Sequence, residues 1–291
     1  MNASDTFVPR LPLGEWVDVF VTWLTATFKP FFAVVKDVLV GIYDVLDTVL
    51  SSPPFLVVAL VLAALAFLAK GWKLALGSLV GFAVIAGVDQ WDNAMSSLAL
   101  VLLAAAIALL IAVPLGIWAA RNDTVSATVR PVLDFMQTMP AFVYLIPTVV
   151  IFLTGPVPGI VATVVFALAP GVRFTELGIR QVDREVVEAG HAFGSTPGRI
   201  LRQIQLPLAM PTIMAGVNQV IMLSLSMVVI SGMVGAGGLG RDVVAGLSSI
   251  DVALGFEAGL AVVILAMFLD RVTGALGDRS PVARALAQSA H

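Results

Sequence analysis

Long runs of apolar residues, separated by short polar stretches, dominate the chain from Phe55 onward. Runs of spanning or near-spanning length cover residues 55–69, 71–88, 96–120, 141–153, 157–172, 208–234 and 252–269. A helix needs about 20 apolar residues to cross a bilayer, and two prolines between Gly155 and Gly159 separate the fourth run from the fifth. The pattern predicts an all-α polytopic membrane protein with about seven transmembrane helices.

The composition supports a membrane protein and narrows its chemistry. Hydrophobic residues make up 59% of the chain and charged residues 12%, whereas a soluble domain carries about 25% charged residues. The absence of cysteine excludes disulfides, thiolate metal sites and cysteine nucleophiles. Neither histidine, His191 or His291, belongs to a metal-binding motif, and no basic stripe indicates a nucleic-acid partner. We expect no catalytic residue, no metal and no cofactor.

The distribution of basic residues predicts the orientation. If the polar loop after the fifth run is cytoplasmic, the inside holds Lys70, Lys73, Arg121, Arg130, Arg173, Arg180, Arg184, Arg199, Arg202, Arg271, Arg279 and Arg284. The outside then holds Arg10, Lys29, Lys36 and Arg241, which completes the 16 basic residues. The reverse orientation would violate the positive-inside rule. We therefore expect the N-terminus outside and the C-terminus inside.

The segment before the first run has a helical period of its own. Between Phe31 and Leu50, apolar residues recur at helical spacing, and four charged residues occupy other faces. An amphipathic helix lying on the outer leaflet fits this pattern. An eighth span is the alternative, and each charge placed centrally would cost it about 2.5–3.5 kcal/mol.

The longest polar stretch between apolar runs extends from Val182 to Pro211. Its pattern predicts two short helices joined by a turn: Gly194 can end the first helix in a left-handed conformation, and Ser195 can cap the second. Pro197 is tolerated in the first turn of that second helix. A helix pair of this kind can be a docking element or an ordinary solvated connector.

The loop resembles a motif of ABC importer permeases. That family carries Glu-Ala-Ala, three residues, Gly, nine residues, Ile, one residue and Leu-Pro. Here the matching residues are Glu188, Ala189, Gly190, Gly194, Ile204, Leu206 and Pro207, with Gly190 in place of the second alanine. The resemblance implies that the loop is a coupling helix that docks on an ATP-hydrolysing subunit, with Phe193 as an exposed knob.

Four further stretches are similar to the membrane subunit of glycine betaine/proline betaine importers. They are residues 114–118, 133–144, 205–218 and 237–240, within the part of the chain from Trp91 to Arg271. The resemblance implies the type I permease fold, a homodimer in the bacterial inner membrane, a separate ATPase and an extracytoplasmic solute-binding protein. The chain has no GxxxxGK[ST] loop, so ATP hydrolysis must come from a partner.

These observations divide the chain into four predicted parts. They are an exported tail with the interfacial helix (1–54), two peripheral helices (55–90), the core permease domain (91–272) and a cytoplasmic tail (273–291). The core contains the coupling loop, residues 173–207.

Polar groups inside apolar runs suggest a translocation path. The candidate path residues are Gln137, Pro140, Tyr144, Asn218, Met222 and Ser226. Such a lining can pass a quaternary ammonium through weak contacts, including cation–π attraction to Tyr144. Helix packing is the alternative role for each of them.

Two further features have open interpretations. Gly235 to Gly240 fits GxGxxG, but it follows an apolar helix rather than a strand, which disfavours dinucleotide binding. It favours a flexible outer turn where backbones approach closely, as a surface for the solute-delivering protein or as a plain loop. Glu257 can extend to the membrane surface or pair with Arg241. Choline, carnitine or proline is an alternative cargo, and an ion-coupled secondary transporter is a more distant alternative function.

Overall fold

The computed structural model describes residues 11–278, which form thirteen α-helices and no β-strand. The N-terminal half contains α1 (Leu13–Thr27), α2 (Lys29–Ser51), α3 (Phe55–Lys70), α4 (Trp72–Gly87), α5 (Trp91–Arg121), α6 (Asp123–Thr138) and α7 (Ala141–Phe152). The C-terminal half contains α8 (Pro156–Arg180), α9 (Arg184–Ala192), α10 (Pro197–Ile200), α11 (Leu206–Ser231), α12 (Gly238–Ser249) and α13 (Val252–Asp278). The all-α prediction is confirmed; the predictions for residues 1–10 and 279–291 lie outside the described residues.

The number of membrane crossings is the part of the predicted fold that the structure does not confirm. Within residues 11–278, four helices are long and apolar enough to cross: α5, α8, the helix Pro197–Val234, and α13 over Val252–Ala275. Two bent pairs raise the number to six, because α2 meets α3 at 101° and α6 meets α7 at 97°. All seven predicted runs are helical, but α3, α4 and α7 have only 16, 16 and 12 residues.

The core of the bundle is α5 packed against α8, with α8 packed in turn against α11. Glycines stand where these helices approach most closely. A Cβ on Gly116 of α5 would lie 2.7 Å from the carbonyl oxygen of Val172, and one on Gly216 of α11 would lie 2.5 Å from Cβ of Phe174. Close backbone approach of this kind is the usual way in which helices associate in lipid, where no hydrophobic force acts between them.

Helix α2 has three distinct faces. One face packs on the core, where Leu39 is buried and the ring of Phe32 lies edge-on to Phe152 at 5.7 Å. A second face is apolar and exposed, and it consists of Phe31, Val34, Val38, Ile42, Val45 and Val49. The third face carries the charged residues. This division suits a helix that contacts the bundle, lipid and water at once, and the interfacial location stays a prediction.

The close approach at Gly116 generates a stability prediction. Replacing Gly116 with Val forces α5 away from α8, because the new side chain meets backbone as well as Thr175, and overpacking costs about 1–3 kcal/mol. Gly77→Val is the matched control, since a Cβ at Gly77 meets nothing within 4 Å. We expect a lower thermal midpoint in detergent for Gly116→Val alone; equal midpoints would contradict the packing.

Candidate coupling loop and translocation face

The polar loop folds as the predicted pair of helices. Asp183 caps α9, because its Oδ1 accepts a hydrogen bond of 2.9 Å from the backbone N–H of Glu185. The helix ends before Gly194, whose φ of +75° is the left-handed conformation predicted there. Ser195 does not cap the next helix, which is a correction. Thr196 holds the capping position before Pro197, without a side-chain hydrogen bond, because the turn is one residue longer.

Two residues of the motif, Gly190 and Ile204, face the inside of this hairpin. Gly190 is buried, and a Cβ there would lie 2.8 Å from Cδ1 of Ile204 and 3.3 Å from Cγ1 of Ile200. The carbonyl of Gly190 also accepts a hydrogen bond of 3.1 Å from the N–H of Ser195. A residue without a side chain at position 190 therefore lets α9 lie directly on the helix that leads into the membrane.

The remaining residues of the motif are on the outside or at the root. Phe193 is 91% exposed, and exposure of an apolar ring to water is unfavourable when no partner covers it. Glu188, Ala189 and Gly194 are exposed as well. At the root, Leu206 packs beside a cluster that contains Ile179 and Leu201. Pro207, also exposed, sits in the first turn of α11, where it needs no hydrogen-bond donor.

The face of α11 that the other helices leave uncovered lies between α8 and α13. Ser226 is exposed and Met222 is half-buried on this face, and Gln219 lies on it too. Asn218 is at its edge: its amide donates 2.9 Å to Oδ1 of Asp270, and the Thr273 hydroxyl donates 2.6 Å to Oδ1 of Asn218. Asn218 therefore also joins α11 to α13.

Gln219 and Asp270 are polar residues of this region that are not among the candidate path residues. Gln219 falls outside the spacing of four that relates Asn218, Met222 and Ser226. Asp270 was assigned to the chain beyond the seventh run, whereas α13 continues to Asp278. Counting every polar residue inside the apolar helix would have found Gln219; no local signal places Asp270 beside Asn218.

The path candidates near the α6–α7 bend comprise two exposed residues and one buried residue. Gln137 and Pro140 are exposed at the bend between the two helices. Tyr144 is buried: its hydroxyl donates to the carbonyl of Met136, and its ring lies 5.9 Å from the ring of Phe166. Among residues 11–278, no hydrogen bond joins this group to the polar groups of α11.

Comparison with known proteins decides the family. Residues 112–280, more than half of the chain, match the model of the binding-protein-dependent transport system inner membrane component. The chain belongs to this family. It is 48% identical to the glycine betaine/carnitine transport permease protein GbuB of Listeria monocytogenes, over 94% of this chain and 98% of that one. The resemblance to ABC importer permeases is therefore confirmed, and the permease is a multi-pass membrane protein.

Other relatives agree. The permease is 45% identical to the glycine betaine/proline betaine transport system permease protein ProW of Escherichia coli, over 96% of this chain and 79% of that one. Its fold is similar to a chain of the MetNI methionine ABC transporter in an inward-facing conformation, with a TM-score of 0.57 and 24% identity. That match covers 65% of the permease and 92% of the MetNI chain.

The glycine-rich turn, residues 235–240, packs against α5. A Cβ on Gly232 would lie 2.1 Å from the carbonyl carbon of Gly240, so the chain folds back tightly there. The N–H of Leu239 donates 2.8 Å to Oγ of Ser97. The element before the turn is a helix, which excludes the βαβ setting of a dinucleotide fingerprint. Backbones therefore approach closely beside this turn, whereas its outer location and its flexibility stay predictions.

Arg241 beside this turn has partners other than Glu257. Its Nε lies 3.2 Å from Oδ1 of Asp242, and its guanidinium donates 3.2 Å to Oδ1 of Asn93. Among residues 11–278, Glu257 has no ion pair within 4.0 Å. The predicted Arg241–Glu257 pair is therefore wrong, because Arg241 pairs with Asp242, the next residue in the chain, instead.

The left-handed conformation at Gly194 generates a second prediction. Gly194→Ala should cost about 1–2 kcal/mol, because a Cβ is disfavoured at positive φ. Gly198→Ala is the control, since that glycine is helical and has open space around its Cβ position. Hydrogen exchange of amides 184–205, followed by mass spectrometry, should accelerate only in Gly194→Ala. Equal exchange in the two variants would contradict the assigned turn.

Proposed function

We propose that the permease passes a small compatible solute of the glycine betaine or proline betaine type across the inner membrane, driven by a separate ATPase. The observation that carries the proposal is the hairpin of residues 188–207, which has the family spacing and presents a bare aromatic knob. The solutes for which GbuB and ProW are named support the solute class. Carnitine, in the name of GbuB, is the alternative cargo with an observation in its favour.

The exposed residues of the hairpin act as the docking surface for the ATPase. Phe193 enters a groove of the partner, and Glu188, Ala189 and Gly194 surround it. Gly190 and Ile204 keep the hairpin closed, while Leu206 and Pro207 join it to α11. The support is the division into buried and exposed positions: an aromatic side chain that is 91% exposed gains most from burial against another chain.

The permease works as a homodimer with two ATP-binding subunits inside and a solute-binding protein outside. The N-terminus lies outside and the C-terminus inside, as 12 of the 16 basic residues favour. This orientation needs an odd number of crossings. The four long helices, the two bent pairs and the short apolar helix α4 together provide seven.

The path runs along the uncovered face of α11, with Asn218, Met222 and Ser226 on one side and Gln137, Pro140 and Tyr144 near the α6–α7 bend. A hydroxyl and amides on an uncovered face are unfavourable in lipid. Their location therefore favours a face that is turned to a water-filled path or to the second copy of the permease. These groups pass a quaternary ammonium by weak contacts. No covalent step takes place on this chain.

Reconstitution tests the proposed function. The full permease is assembled in proteoliposomes with its candidate ATPase and solute-binding protein, and ATP hydrolysis is measured with and without glycine betaine. We expect glycine betaine to stimulate hydrolysis, and to accumulate on the side of the membrane that carries the ATPase only when ATP is present. Uptake by the permease alone, driven by an ion gradient, would overturn the proposal.

A single substitution tests the docking surface. Ala189→Arg places a charged, bulky side chain beside Phe193 and should prevent the ATPase from co-purifying with the permease. Ala127→Arg is the matched control, because Ala127 is equally exposed but lies on α6, outside the hairpin. Membrane insertion should be normal in both variants. ATP-driven uptake at the wild-type rate in Ala189→Arg would refute the assignment.

A further inference from the structure

A buried carboxylate lies at the cytoplasmic end of α8, away from the hairpin and from the candidate path. The side chain of Glu176 is 5% exposed. Its Oε1 accepts a hydrogen bond of 2.6 Å from the Ser126 hydroxyl and one of 2.9 Å from the Arg130 guanidinium, and it forms an ion pair of 3.0 Å with Nε of Arg180. Two hydrogen bonds, one of them charge-assisted, and a second ion pair on the same oxygen make this a strong cluster.

Arg180 extends the cluster to the end of α5. Its guanidinium donates 2.8 Å to the carbonyl of Ala119, in the last turn of α5. It also lies 2.8 Å from Oδ1 of Asp123, the first residue of α6. The Glu176 cluster, which we define as Ser126, Arg130, Glu176 and Arg180, therefore joins the ends of α5, α6 and α8.

Helix α6 depends on few other contacts for its position. Leu133 is its main buried apolar residue, and it packs with Ala112 of α5 and with Ala169 and Val172 of α8. Val132 and Phe135 are exposed. A third contact is the more exposed ion pair between Asp134 of α6 and Arg173 of α8. The Glu176 cluster is thus the buried polar attachment of α6 to the core, beside this small apolar cluster and that ion pair.

The cluster also lies between the hairpin and the path. Only Gln181 and Val182 separate α8 from Asp183, the cap of α9. In the other direction, α6 leads into the 97° bend that carries Gln137 and Pro140. A displacement of the hairpin is passed directly to α8, and it reaches the bend through α6 only if α6 follows α8.

We propose that Glu176 is a positioning residue for transport: the Glu176 cluster clamps α6 to α8, so that movement of the hairpin is delivered to the α6–α7 bend. The inference rests on the proposed function for its role in transport. A buried ion cluster is weak evidence for stability alone, because an apolar replacement is often as stable; in some proteins its role is to fix which helix faces are in register.

The transport test uses Glu176→Gln in the reconstituted complex. Glutamine keeps the shape and removes the charge that holds both arginines. We expect the ATPase to stay bound and ATP hydrolysis to continue, while solute transported per ATP hydrolysed falls about tenfold. Asp123→Asn is the control: Asp123 also pairs with Arg180, but its side chain is 92% exposed, so its loss should leave the ratio unchanged.

A double variant separates positioning from a merely structural role. If Glu176 and Arg130 act as one unit, Glu176→Gln with Arg130→Gln should lower the ratio no further than Glu176→Gln alone. A fall in protein yield or thermal midpoint with an unchanged ratio would overturn the proposal, and so would additive losses in the double variant.

A distance measurement reads the clamp in the permease alone, independently of the proposed function. The chain has no cysteine, so spin labels can be placed at Val132→Cys on α6 and Leu177→Cys on α8, both exposed. Labelled chains are diluted with unlabelled chains in nanodiscs. We expect one narrow distance distribution that broadens in Glu176→Gln and not in Asp123→Asn. Equal distributions in all three proteins would overturn the clamp.

Discussion

The close approach of α5, α8 and α11 is the contact on which the rest of the permease depends. Lipid is as apolar as the helices themselves, so association relies on dispersion between backbones that come near enough to touch. Gly116 and Gly216 provide that approach towards the end of α8 that leads into the hairpin, and a Cβ on Gly159 near its other end would lie 2.7 Å from Cβ of Ser231. Because α8 takes part in each contact, it is the central helix around which the hairpin and the glycine-rich turn are arranged.

The hairpin is held rigidly because it is joined directly to α8 and to the helix that packs on α8. It leaves α8 through two residues and returns through a 38-residue helix, Pro197–Val234, whose π-helical segment Leu201–Gln205 lies at the junction with α11. Wide turns of this kind are frequent at functional positions in helices. The packing of Gly190 on Ile204 closes the hairpin onto that junction. Force applied to Phe193 therefore acts on two long helices together.

Much of this arrangement could be predicted from the sequence, for a physical reason that also sets the limit. Long apolar runs identify α5, α8, α11 and α13, because no other structure satisfies their backbones in lipid. The signals at Gly194 and Pro197 identified the hairpin, although the cap lies one residue beyond Ser195. Helices α1, α6 and α12 were missed: the first two are amphipathic and charged, and the third begins in glycines. The partners of Tyr144 and Asn218 depend on helix packing, which one-dimensional periodicity does not contain.

The separation of buried and exposed positions in the hairpin has a consequence for the choice of its partner. Gly190 and Ile204 hold the shape from within, whereas Glu188, Ala189 and Phe193 meet only the outside. On the proposed docking, changes at these exposed positions can alter which ATPase binds without changing the contact between Gly190 and Ile204. The surface that selects a partner and the packing that holds the hairpin in shape can therefore diverge independently of each other.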